Sequence, residues 1–181
     1  MTTPVLLPPG ARPGFIGPLA VPGDLWWVCA EPTPLAGMAY PRAGVWDTLA
    51  GLGFRHVVDL TRDASKYDAT PLTNHASQLS DLIARRRPPD AERDEARIRA
   101  AALLVADRWS AGEGVLVHCH GGRGRTGSVI GSALVLLGHD PEAVVDWLHR
   151  VQRTRGRRGW PEQRWQAEVV LRSGSGESRG S

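Results

Sequence analysis

The sequence predicts an α/β fold with a central, mainly parallel sheet flanked by helices. Three observations carry this expectation. Short apolar runs of strand length recur at 25–29, 54–60 and 115–118. Between and after them lie segments whose apolar residues return every three or four positions, as on one face of a helix. Glycines and capping acids mark the junctions, and strands alternating with helices imply an α/β sandwich around parallel strands.

Taken in order, residues 1–23 are rich in Pro and Gly and read as an irregular arm that wraps the domain or stays mobile. Leu25–Cys29 (LWWVC) reads as a buried strand. Val45, Leu49 and Leu52 recur at helical spacing, predicting a helix over Arg42–Leu52 stopped by Gly51 and Gly53. Phe54–Leu60 (FRHVVDL) reads as a core strand and His75–Leu79 as a weaker one. Asp90 is placed to cap a helix reaching Trp109. Glu92, Asp94 and Glu95 sit near its positive end, and Ile98, Ala102, Val105 and Trp109 form its apolar face. Gly112 and Gly114 bracket the turn into a strand at Val115–His118, and Thr126–Leu137 is so apolar that it reads as the central helix. Asp140-Pro141 supplies the N-cap and first residue of another helix, with Val144, Trp147, Leu148 and Val151 on one face. A last helix follows Pro161. Ser173–Ser181 is Gly/Ser-rich and reads as disordered, which leaves residues 24–172 as the domain.

At 181 residues and 41% hydrophobic, the chain can bury a core as one domain. No stretch approaches the ~18 apolar residues of a membrane span. The N-terminus lacks the early positive charge of a secretory signal, so a soluble cytoplasmic protein is expected, without membrane insertion. Two cysteines do not suggest a disulfide framework and suit a reducing compartment. The net charge of +3 is carried almost wholly by arginine, Lys66 being the only lysine. Arginine suits planar oxyanions, although a GC-rich coding bias produces the same excess. The basic runs Arg85–Arg87 and Arg150–Arg158 lack stacking aromatics apart from Trp160, so no nucleic-acid partner is expected.

Chemistry concentrates in His118-Cys119-His120-Gly121-Gly122-Arg123-Gly124-Arg125-Thr126-Gly127, which joins the buried strand to the apolar helix. Ligands in α/β sheets bind beyond the C-terminal ends of strands, and this segment lies at one. Its glycines permit a curl in which N–H groups converge as an anion-binding nest, and the following helix adds its positive end. Cys119 and Arg125, separated by five residues, face that nest together. The nest favours a thiolate at Cys119, and Arg125 can clasp two phosphate oxygens in a fork. A structural cysteine would be a small buried apolar residue, and a cation at a helix start opposes the dipole unless an anion joins it. Adjacent His118, Cys119 and His120 point to opposite sides of an extended chain and have no second Cys/His cluster, so no metal or other cofactor is expected. The loop also lacks the Gly-Lys-Ser/Thr ending of a nucleotide P-loop.

Cys-x5-Arg followed by Thr is the signature of the cysteine-based protein phosphatases, and HCHGGRGRTG closely resembles it. The chain thus resembles the protein tyrosine and dual-specificity phosphatase superfamily, sharply over 113–138 and loosely over 54–170. The resemblance implies phosphomonoester hydrolysis through a phosphocysteine on Cys119. Arg125 and the loop His120–Arg125 would hold the phosphate, His118 would orient the loop, and Thr126 would ease departure of the thiolate. It also implies an aspartate acid upstream. Asp81 is the first choice, where a strand-like stretch becomes loop, and Asp90, already a helix cap, is the alternative. A water-positioning glutamine is expected near the C-terminus, with Gln163 the candidate in PEQRWQ. His120 and Arg123 are expected to point outward, to read substrate or be solvated. Asp59, Asp63 and Cys29 are expected to be structural. The substrate is expected to be a phosphorylated protein or small phosphomonoester, with the dual-specificity-like branch preferred. A phosphoinositide, inositol or nucleotide phosphatase is the runner-up, Arg123 standing in for the lysines of lipid-specific loops. A phosphate-binding module without catalysis and a rhodanese-type sulfur transferase are the rivals from other classes, the Arg-Thr-Gly ending counting against the second.

Overall fold

A computed structural model describes residues 3–11, 25–42, 44–61, 67–82 and 86–174. Along these the chain forms β1 (Trp26–Cys29), β2 (Leu35–Met38), α1 (Trp46–Gly51), β3 (Phe54–Asp59), β4 (Thr73–Ala76), α2 (Ala91–Ser110), β5 (Gly114–His118), α3 (Gly124–Leu136), α4 (Pro141–Thr154) and α5 (Arg164–Arg172). The strands make one five-stranded sheet in the order β1-β2-β5-β3-β4. All neighbours run parallel except β1, which pairs antiparallel with β2 at the edge. The expected mainly parallel sheet flanked by helices is the fold observed.

Strand β5 lies at the centre, and all five of its residues are buried. A parallel strand covered on both faces must be apolar throughout, and GVLVH nearly is. Its alternation divides the core: Val115 and Val117 join α2, α3, α4 and α5 on one face, while Leu116 joins Trp27, Met38, Trp46 and Phe54 on the other. Helix α3 is buried from Gly124 to Val135 and packs against α2, α4 and α5, as its composition requires. Asp90 and Asp140 cap α2 and α4, accepting from Arg93 N (3.0 Å) and Ala143 N (2.8 Å). Such caps contribute about 1 kcal/mol each.

Four elements differ from expectation. Strand β2 (LAGM) has no counterpart in the sequence reading, because alanine and glycine carry no strand propensity. Its Gly37 is required by a close approach: a Cβ there would sit 2.3 Å from the Trp26 ring. Strand β4 covers 73–76 rather than 75–79; its polar, largely exposed residues lie on a sheet edge and give no alternation to read. Helix α1 begins only at Trp46, and α3 begins two residues early, at Gly124.

The described part of the N-terminal arm packs on the body. Leu7 N donates to Val28 O (2.8 Å), Trp147 Nε1 donates to Leu7 O (2.9 Å), and His139 Nε2 donates to Pro4 O (2.9 Å). The rest of the arm from 12 to 24, Asp63, Lys66, Arg85 and the tail from 175 lie outside the described residues.

Replacing Gly37 with Ala forces the buried Trp26 ring to move. Overpacking of this kind costs about 1–3 kcal/mol, so Gly37→Ala is expected to lower the urea unfolding midpoint. An unchanged midpoint would contradict the packing described.

Candidate active site

The segment 119–123 leaves the C-terminal end of β5 and enters α3. Because β5 is central, its neighbours on both sides reach the loop. Leu60 N, beyond β3, donates to His118 O, and Tyr40 N, beyond β2, donates to His120 O, both at 3.0 Å. In a planar trans peptide the N–H points opposite to the C=O. With these carbonyls held by their neighbours, the N–H groups of Cys119 and Gly121 point away from those partners, as an anion nest requires. Gly122 has φ +61, and a Cβ there would meet the backbone of Met38 and Ala39 at 2.4 Å. Only glycine fits this position.

Cys119 is 3% exposed, and Thr126 Oγ1 donates to its Sγ at 3.1 Å. The early start of α3 places Arg125 and Thr126 in its first turn, which brings Thr126 under the sulfur and keeps Arg125 beside the helix's positive end. Arg125 is 9% exposed. Its Nη1 reaches the carbonyls of Leu60 and Leu79, each at 3.5 Å, and its Nη2 pairs with Asp81 Oδ2 at 2.6 Å. Asp81 thus faces Arg125 from across the loop. Asp90 sits apart, engaged as the α2 cap.

His118 is wholly buried behind the cysteine. Its Nε2 shares a 2.5 Å hydrogen bond with the Tyr67 hydroxyl, and the Asp59 carboxylate lies 3.6 Å from the same nitrogen. Asp59 Oδ1 also accepts from Thr61 N and Thr61 Oγ1, both at 2.7 Å. Burial pushes His118 down to about 4, against the opposing pull of Asp59. Burial, reinforced by the Asp59 charge, pushes Tyr67 far above the usual tyrosine range. Both side chains are therefore neutral at ordinary pH and form a hydrogen-bonded backing for the loop.

Other residues take positions the sequence did not resolve. Arg123 folds back: its Nε donates to Gly159 O (2.8 Å), and its Nη1 lies 3.4 Å from Glu162 Oε1. His120 stacks on Tyr40 with ring centroids 5.6 Å apart. Gln163 is the N-cap residue of α5, and its backbone N–H donates to Gln166 Oε1 (3.1 Å). The glutamine that reaches the loop is the buried Gln166, whose Nε2 would lie 2.6 Å from a Cβ on Gly124. Cys29 is buried in the core; its Sγ donates to Thr33 O (3.5 Å), and burial pushes its thiol up to about 11. Sequence reasoning also passed over Tyr67, which lies 51 positions from His118 and carries no local signal.

A cysteine-bearing loop between a central parallel strand and a buried helix, with an arginine in that helix's first turn, defines the class of cysteine-dependent phosphatases. Solved structures share the fold. Tk-PTP in its active form is 24% identical with a TM-score of 0.59, over 78% of this chain and 91% of its own. TpbA of P. aeruginosa, in complex with pTyr, is 19% identical with a TM-score of 0.59, over 90% and 99%. PTPMT1 in complex with PI(5)P is 15% identical with a TM-score of 0.62, over 83% and 95%. The model of the PTP-SAK family, described as Swiss Army Knife protein, DSP-PTPase phosphatase domain, matches residues 25–178, and the chain belongs to that family. Among the described residues no helix is long and apolar enough to cross a membrane.

His118 makes the fold acid-sensitive in a defined window. The unfolded chain takes up the proton below about 6.5, the folded chain only near 4, so stability falls as pH drops through that interval. His75, lowered by burial with help from His56 and Arg108, acts with the same sign. In a His118→Asn variant the urea midpoint is expected to vary less with pH between 6.5 and 4 than in the parent; equal slopes would refute a buried neutral His118.

Proposed function

We propose that the chain hydrolyses phosphomonoesters in two steps through a phosphocysteine at Cys119. The observation that carries this reading is the convergence on one loop of a sulfur accepting from Thr126 and an arginine paired with Asp81. In the first step the Cys119 thiolate attacks phosphorus in line. The P–O bond to the leaving group breaks while Asp81 protonates the departing oxygen. Arg125 and the inward N–H groups hold the charge on the equatorial oxygens. In the second step a water loses a proton to Asp81 and attacks phosphorus. The S–P bond breaks, and the Thr126 hydroxyl stabilises the thiolate that leaves. His118 keeps the loop in place through Tyr67. Gln163, engaged as the cap of α5, takes no part.

The substrate that fits best is a phosphoprotein of the tyrosine or dual-specificity kind. A solved relative holding pTyr supports this. The relative holding PI(5)P favours the runner-up, a phosphoinositide, inositol or nucleotide phosphatase. Against the runner-up stands Arg123, whose guanidinium is engaged by Gly159 and Glu162 rather than offered to a headgroup. A non-catalytic phosphate-binding module is disfavoured by an acid already positioned on Arg125.

The test is turnover of para-nitrophenyl phosphate with EDTA present. Cys119→Ser is expected to abolish it, and Arg125→Ala to lower kcat/KM by ~10²–10³-fold, the scale of a lost oxyanion donor. Asp81→Asn is expected to lower kcat by ~10²-fold or more, as loss of a general acid does, while Asp90→Asn leaves kcat near the parent's. Turnover surviving Cys119→Ser, or a larger loss from Asp90→Asn than from Asp81→Asn, would overturn these assignments. Relative kcat/KM on phosphotyrosine, phosphothreonine and phosphoinositide substrates separates the two substrate readings.

A further inference from the structure

After His118 and His120, the next alternate carbonyl of the loop belongs to Gly122, and its partners are side chains rather than backbone. Gly122 O accepts from Trp26 Nε1 in β1 at 3.0 Å and from Arg155 Nη1, just beyond α4, at 3.1 Å. The two donors approach from elements far apart in sequence, and each is fixed in turn. The Trp26 ring is 4% exposed, rests on Gly37 and packs against Trp147 with centroids 6.4 Å apart. Arg155 Nη1 also donates to the buried Gln152 Oε1 at 2.7 Å, and its guanidinium carbon lies 6.0 Å from the centre of the Trp26 ring. One donor is neutral and one charged, and a charged donor makes the stronger bond.

The position matters because of which peptide is gripped. Glycine gives the backbone unusual rotational freedom, so the Gly122–Arg123 peptide is where the loop's orientation is least determined by its own residues. One orientation presents the Arg123 N–H to a bound anion. The opposite one presents the Gly122 carbonyl oxygen, which repels it. We propose that Trp26 and Arg155 are positioning residues that settle this choice: their N–H groups hold the Gly122 carbonyl outward and so keep the Arg123 N–H in the anion ring. The inference rests on the reading of this loop as a phosphate site, and it adds to that site two residues that touch no substrate.

The variants are chosen to remove donors and keep bulk. Trp26→Phe keeps a ring without its N–H, Arg155→Met keeps a chain without its charge, and Arg155→Lys returns a cationic donor. Each is measured for kcat/KM on para-nitrophenyl phosphate, for inhibition by inorganic phosphate, and for thermal midpoint without anion. Each single loss leaves one donor and is expected to lower kcat/KM and phosphate affinity by ~10-fold. The double variant is expected to lose ~10²-fold or more, the scale of one lost oxyanion donor. Arg155→Lys is expected to recover most of the Arg155→Met loss, and the losses are not expected to follow the anion-free midpoint. A double variant with kcat/KM and phosphate inhibition within about twofold of the parent would sink the proposal, since that ratio reports lost transition-state stabilisation directly. If the double variant does not fold, the comparison of Arg155→Met with Arg155→Lys decides alone. A parent protein that neither turns over nor binds phosphate would remove the phosphate-site reading itself. A parent silenced by Cys119→Ser but indifferent to the clamp variants would remove only the clamp.

Discussion

Backbone N–H groups can gather around an anion only if the carbonyls on the same peptides find partners on the other side, and this constraint organises the molecule around residues 118–124. A buried carbonyl without a partner costs as much as a lost hydrogen bond. The sheet order answers the need. With β5 between β2 and β3, the backbone just past each neighbour supplies one donor, from Tyr40 and from Leu60. An edge strand would have had one neighbour only. The central position of β5 is thus a condition for the loop as well as a consequence of apolar sequence.

The side chains of the loop divide the remaining work by burial. Arg125 is almost enclosed, yet its guanidinium touches the end of β3 at Leu60 and the segment after β4 at Leu79 and Asp81, so the arginine also ties these two segments to α3 at the sheet's end. His118 turns the other way, into a buried pocket with Tyr67 and Asp59, where its charge is suppressed and it serves as a fixed support. Adjacent residues on an extended strand point to opposite faces, which is how one strand end delivers a support and a sulfur in consecutive positions.

What the sequence disclosed follows from what is local. The segment 118–127 was readable because cysteine, glycines and arginine lie within ten residues, and the caps Asp90 and Asp140 because each bonds three positions away. The pairing of Asp81 with Arg125 spans 44 positions, and only the resemblance pointed toward that region. Trp26 and Arg155 lie 96 and 33 positions from Gly122, and nothing in their neighbourhoods announces the contact. Strand β2 is hard to read because it is thin: Gly37 makes room for Trp26, and removing side chains removes the signal. Gln163 drew attention by motif position, whereas the fold sends Gln166 toward the loop.

The ion pair between Arg125 and Asp81 carries one more implication. Arg125 already holds a carboxylate of its own, tethered to the same chain. In the proposed reaction an entering phosphate dianion displaces that carboxylate, which frees the acid as the ester arrives. In the same scheme, when inorganic phosphate forms, the tethered carboxylate competes with it for the guanidinium at a high effective concentration. On that reading the pair is a return spring, weakening retention of the product by the very residue that helped make it.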